Sequence, residues 1–198
     1  MNEESQRLAG DSMTPLFADP GLPVGQSTVG DFWRWAYSSL ADNATRGVFA
    51  EYLVGMALDV LAEPRTNWDA ADLRYRGHLV EVKSSADHQA WKQAKPTAVQ
   101  FGVAKKNWWD AETDRRSPVA ERPASVYVFC HYRGAAVSEQ VVDVHHWDFY
   151  PVATAVLNVE LGDSQSIGLS RLRTLASPIG HTELRSALDD LLAGSDVG

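Results

Sequence analysis

Four residues carry the chemistry that this sequence offers: Glu51, Asp72, Glu81 and Lys83. Asp72 and Glu81 supply hard carboxylate oxygens, the donors that suit Mg2+ or Mn2+ together with waters and phosphate oxygens. The backbone carbonyl of Val82, between the glutamate and the lysine, is a further candidate ligand. A metal held in this way lowers the pKa of a bound water and offsets charge on a phosphate. A lysine beside it can orient that water or stabilise a pentavalent transition state.

These side chains do useful work only if the chain brings them together. Asp72, Glu81 and Lys83 lie in WDAADLRYRGHLVEVKSS, which reads as two short strands, 72–75 and 79–83, turning at Gly77-His78. A type II′ turn there pairs Arg76 with Leu79, Arg74 with Glu81 and Asp72 with Lys83. Strand side chains alternate with period two, so Asp72, Glu81 and Lys83 project from one face. Leu73, Tyr75, Val80 and Val82 project from the other and form core. A one-residue slip would break the arrangement, and the same parity turns Asp69 away. The bland alternative is a solvent-facing edge with a surface salt bridge; an E-x-K pattern alone does not exclude it.

Glu51 lies on a helix expected to start after Asn43 or Thr45, run to about residue 62 and stop before Pro64. It shares a face with Gly47, Val54, Gly55, Leu58 and Ala62, while Phe49, Leu53, Met56 and Val60 make the opposite face apolar too. Such a helix is expected to be buried. A carboxylate there needs a cation or hydrogen bonds. One reading is an accessory site acid. The other is a structural glutamate paired with Arg46 or Arg74.

Around this segment the chain divides into a loosely ordered arm, 1–26, and a single domain, 27–198. Ser27 or Thr28 caps a first helix running through Phe32, Trp33, Trp35, Ala36 and Leu40. Residues 84–97 are polar and expected to mix loop and helix, 98–103 to form a strand, and 104–122 a basic and polar loop. SVYVFCH at 125–131 is the clearest buried strand. Residues 141–144 and 149–152 are weaker strands, and the C-terminal part is helical in short pieces, the last about 182–192.

At this point the sequence resembles the PD-(D/E)XK nuclease superfamily. The resemblance rests on RGVFAEYLVGMAL, on Asp72-Leu73 and on Glu81-Val82-Lys83-Ser84-Ser85, and covers roughly residues 43–131. It implies a restriction-endonuclease-like α/β fold with an αβββαβ core and a mixed central sheet flanked by helices. It also implies that Asp72 and Glu81 ligate metal, that Lys83 is the catalytic lysine and that Glu51 is the accessory helical acid. One departure stands: Ala71, not proline, precedes Asp72.

The leading functional expectation is a Mg2+-dependent (or Mn2+-dependent) phosphodiester hydrolase acting on DNA. The alternative is a non-cleaving nucleic-acid-binding or defence-complex subunit with a nuclease-like fold. The net charge of −8 counts against nucleic acid as a partner, because DNA binders usually present a basic surface. One stretch runs the other way: 91–116 interleaves Trp91, Trp108 and Trp109 with Lys92, Lys95, Lys105, Lys106, Arg115 and Arg116. Lysines bind phosphate and tryptophans stack on bases, so Lys92, Lys95, Lys105 and Lys106 are the candidate substrate contacts. Aromatic core residues beside a solvated loop are the plain alternative.

Other signals are weaker. Asp143, His145, His146 and Asp148 lack zinc-type spacing. Gly162-Asp163-Ser164 does not complete a G-x-S-x-G elbow and reads as a turn, which leaves a serine hydrolase using Ser164 as a poor third reading. No membrane partner is expected, since charge interrupts every apolar run before spanning length, and the acidic N-terminus does not read as a signal peptide. Cys130 has no internal disulfide partner, so a reducing, cytoplasmic location is expected. A homodimer or larger assembly stays open.

Overall fold

The computed structural model describes residues 28–62, 65, 69–91, 98–110 and 114–194. The N-terminal arm, Pro64, Lys92 and Lys95 lie outside the described residues. Helix α1, Val29–Tyr37, starts at Thr28, whose side chain accepts the Asp31 N–H while the Asp31 carboxylate accepts the Thr28 N–H. This reciprocal box satisfies two donors that the first turn leaves unpaired. The helix stops three residues before Leu40 and buries none of its side chains; Trp35 is 81% exposed.

Helix α2, Asn43–Leu58, is capped by Asp42 and stops four residues earlier than expected. The stop is Asp59, held in the left-handed region at φ 61°, from which its N–H and that of Val60 turn back to Met56 and Gly55 carbonyls. Those two bonds form a Schellman ending. The helix is also not buried all round. Arg46, Ala50, Leu53, Val54, Gly55 and Leu58 are covered, whereas Tyr52 and Met56 face outward.

The strands in chain order are β1 (Leu73–Tyr75), β2 (His78–Ala86), β3 (Gln100–Gly102), β4 (Trp109–Asp110), β5 (Arg115–Arg116), β6 (Val126–Tyr132), β7 (Trp147–Ala153) and β8 (Ser166–Gly168). A four-stranded sheet runs β1-β2-β6-β7, with β2 and β6 parallel and the outer pairs antiparallel. The β1-β2 turn falls at Arg76-Gly77, with φ of 50° and 82°, the signature of type I′ rather than II′. Tyr75 therefore faces His78 and Leu73 faces Val80, a register two residues away from the expected one. A slip of two keeps each strand side chain on its face, so Leu73, Tyr75, Val80 and Val82 still meet in one core cluster.

Strand β2 continues to Ala86 because β6 pairs with it as far as Tyr132, so residues 84–86 are strand, not loop or helix. Every residue of β6 is buried, as its unbroken apolar run demands. One side of the sheet packs on α2 and on α6 (Leu184–Ala193) through Val80, Val82, Val126, Val128 and Trp147. The other packs through Tyr127, Phe129, Tyr150 and Val152 on α4 (Thr154–Leu161), α5 (Leu169–Leu175) and the β3-β8 pair.

The fold is thus mixed α/β, with a mixed central sheet flanked by helices. Among the described residues the connection from β2 to β6 carries short strands and no helix, where αβββαβ places one. Residues 104–122, expected as loop, hold the β4-β5 ladder and a Lys106–Glu121 bridge. Residues 141–144 are not a strand: helix α3, Ser138–Val141, and a 3-10 turn, Val144–His146, occupy them. Val141 and Val144 stand three apart, a spacing that suits a helical face as well as a short strand. No helix among the described residues is long and apolar enough to cross a membrane.

Candidate functional site

Because β1 is only three residues long, β2 outlasts it, and among the described residues no strand pairs with the edge of β2 beyond Val80. Asp72 fills that position. Its Oδ2 accepts the Val82 N–H at 2.7 Å. In an extended strand the N–H and C=O of one residue point the same way, so the Val82 carbonyl faces this same edge. Continuing the hairpin register puts Asp72 across from Glu81.

Glu81 stands on the sheet face shared with Tyr127 and Phe129, its side chain 3% exposed. Two ammonium groups hold it. Lys83, two residues on and on the same face, donates to Oε1 at 2.6 Å. Lys106 reaches in from the β2-β6 connection, at 3.0 Å from Oε1 and 3.3 Å from Oε2. Glu51 projects from α2 at 13% exposure and pairs with the Arg65 guanidinium through both carboxylate oxygens.

The three carboxylates act on one another through Asp72. Burial first, then the charges of Glu81 and Glu51, push its carboxyl up from 3.8 to about 6. The Val82 N–H and the Lys83 ammonium work in the opposite direction. Burial, then Glu81, raises the Tyr127 hydroxyl, and burial, then Asp72 and Glu51, raises the Cys130 thiol well above its ordinary value. A cleft of about 470 Å³ bounded by Val48, Glu51, Tyr52, Leu61, Asp72 and Arg74 opens beside the cluster.

Whether a metal suits this place depends on the donors. Among the described residues no set of three or more His, Cys, Asp or Glu side chains is arranged to hold an ion. Mg2+ requires less: one or two carboxylates, with waters and substrate oxygens completing the shell. Asp72 and Glu81 with the Val82 carbonyl meet that need. The raised Asp72 carboxyl fits as well, since crowded buried carboxylates are relieved by a cation. The donor chemistry therefore fits Mg2+ or Mn2+.

Glu51, Asp72, Glu81 and Lys83 are thus brought around one edge of the sheet, while in the basic stretch Lys105 and Lys106 pair with carboxylates of the chain itself. Lys106 turns inward onto Glu81 rather than outward to a phosphate. Lys105 pairs with Asp163 at 2.8 Å on the surface. Trp108 and Trp109 direct their indole N–H groups to Glu121 and Asp114. Glu51 finds neither of its expected partners: Arg46 donates to the Ala41 carbonyl, and Arg74 joins Asp69 and Asp110. Arg65 and the inward course of Lys106 have no local sequence signal.

The weaker candidates form no site. Asp143 caps a turn by accepting the His145 N–H, Asp148 pairs with Arg133, and Asp163 and Ser164 follow Gly162 in a turn. A second polar cluster, absent from the sequence reading, surrounds the buried His131: Nε2 lies 2.9 Å from Asp87 and Nδ1 3.8 Å from Asp148. In comparisons with known proteins, no family model matches the chain and no curated protein is similar to it.

Proposed function

We propose that this chain is a divalent-metal-dependent phosphodiester hydrolase acting on DNA, with a restriction-endonuclease-like core of the PD-(D/E)XK kind. The observation that carries the reading is the grouping of Asp72, Glu81 and Lys83 at the edge of β2 beyond Val80, with Asp72 closing that edge on the Val82 N–H. Asp72, Glu81 and the Val82 carbonyl would hold Mg2+ or Mn2+, which when bound supplies an activated water and offsets phosphate charge. Lys83 stands two residues from Glu81 and stabilises charge developing on the scissile phosphate. Glu51, fixed by Arg65, keeps negative charge beside Asp72 and orients groups at the cleft. Asp72 is the member whose raised carboxyl gains most from a neighbouring cation.

A second reading has its own support. Glu51, Asp72 and Glu81 are matched in number by Arg65, Lys83 and Lys106, and the chain carries a net charge of −8. A neutral cluster in an acidic protein suits a nuclease-like subunit of a nucleic-acid or defence assembly that does not cut alone. Incubation with supercoiled plasmid, single-stranded DNA and RNA, with Mg2+ or Mn2+ and with chelator, separates the two. Metal-dependent nicking that chelator stops supports the hydrolase. Metal binding without cleavage of any substrate supports the subunit.

A further inference from the structure

Glu81 is held from two directions, and the two lysines differ in what holding it demands of the chain. Lys83 belongs to β2 itself, two residues from Glu81 on the same face, and contacts only Oε1. Lys106 belongs to the connection between β2 and β6. Its backbone is fixed by a pair of hydrogen bonds with Glu121, at 3.0 and 3.1 Å. Trp108 reinforces the pairing through Glu121 and Ser117. From that anchored base the side chain, 41% exposed, carries its ammonium to both oxygens of a carboxylate that is only 3% exposed.

Oε2 is the oxygen that Lys83 leaves alone, so it is where a metal would bind, and Lys106 covers it. A divalent ion on a carboxylate oxygen sits about 2 Å away. That places it within van der Waals range of an ammonium already on the same oxygen, where two positive charges repel strongly. One must leave. Lys83 can stay, because its contact is with Oε1. Lys106 can withdraw without disturbing the sheet, because its flexible stem reaches solvent and its backbone lies outside the β2-β6 ladder.

We propose that Lys106 is an internal counter-cation that competes with divalent metal for Glu81, so that metal enters only as Lys106 withdraws. The inference rests on the metal-dependent reading above and adds a regulation of that same site. Lys106 is a positioning residue here, acting through Glu81. Without metal it keeps a buried carboxylate paired, which an unpaired charge in that place would make costly. With metal it is released toward solvent.

The test is calorimetric titration of Mn2+ alone into the full chain, comparing wild type with Lys106→Met, Lys106→Gln and Lys106→Arg. Metal-free denaturant midpoints identify which variants fold. Removing the competing charge in Met or Gln raises Mn2+ affinity by about tenfold, the scale of a close charge contact largely screened by water, because the displaced ammonium is 41% exposed and is taken up by solvent. Arg keeps the cation and shows wild-type affinity or weaker. Gln retains a donor for Glu81 and serves if Met does not fold. If wild type binds Mn2+ and the folded neutral variants bind it no tighter, the competition is refuted while the metal-dependent reading stands. If none of the proteins binds Mn2+, both fail together.

Discussion

The Asp72 carboxylate accepts the backbone N–H of Val82 at 2.7 Å, and so takes the place of a missing strand at the edge of β2. One side chain therefore does two things. It completes the sheet, and it brings a carboxylate beside Glu81 and Glu51 that burial and their charge hold at about 6.

That pairing gives stability a defined pH dependence. The folded protein binds the Asp72 proton more tightly than the unfolded chain, because the folded value lies above 3.8. This contribution is complete below the unfolded value and is lost as pH rises through about 6. The shift corresponds to about 3 kcal/mol. Asp72→Asn keeps an oxygen for the Val82 N–H and removes the repulsion. Urea unfolding of the metal-free protein at neutral pH is expected to show the variant more stable by on the order of 1–3 kcal/mol, with a flatter profile across this window. A variant less stable than wild type would mean that the ionised carboxylate is needed to hold the edge.

Glu51→Gln tests the accessory acid. Its pairing with Arg65 is partly solvated, Arg65 being 39% exposed, so the stability change is expected to stay within about 1 kcal/mol. Cleavage is expected to fall by about tenfold or more if Glu51 orients groups at the cleft. Thermal melts beside cleavage rates decide it. A collapse of stability at unchanged specific activity would make Glu51 purely structural.

The hairpin turn can be tested without touching the site. Gly77 sits at φ 82°, where a Cβ would meet no atom within 4 Å, so Gly77→Ala adds backbone strain alone. The expected loss is about 1 kcal/mol, measured by denaturant midpoint, with metal affinity preserved. A variant as stable as wild type would show that the turn changes conformation freely and does not fix the register.

Several of these features are readable from sequence for physical reasons. β6 announces itself because both its faces are buried, so its residues from Val126 to Cys130 are apolar without alternation. Glu81 and Lys83 share a face although the register is two residues off, because the strand period is two. What escaped reading was non-local or conformational. Asp59 ends α2 by adopting a left-handed conformation that its residue type permits but does not announce. The contact between Lys106 and Glu81 spans 25 positions through a connection with no repeating pattern, and the partner of Glu51 depends on where Arg65 returns after the helix.

The most direct test of the hydrolase reading is a paired measurement on Lys83→Ala: Mn2+ affinity by calorimetry and cleavage of labelled DNA. Lys83 is the member whose proposed role lies in the transition state, and without it Lys106 still pairs with Glu81 in the metal-free fold. Lys83→Ala is expected to bind Mn2+ nearly as wild type does and to cleave below detection. Wild-type cleavage in Lys83→Ala, or wild-type protein that binds no Mn2+ at millimolar concentration and cuts neither DNA nor RNA, would contradict the hydrolase reading.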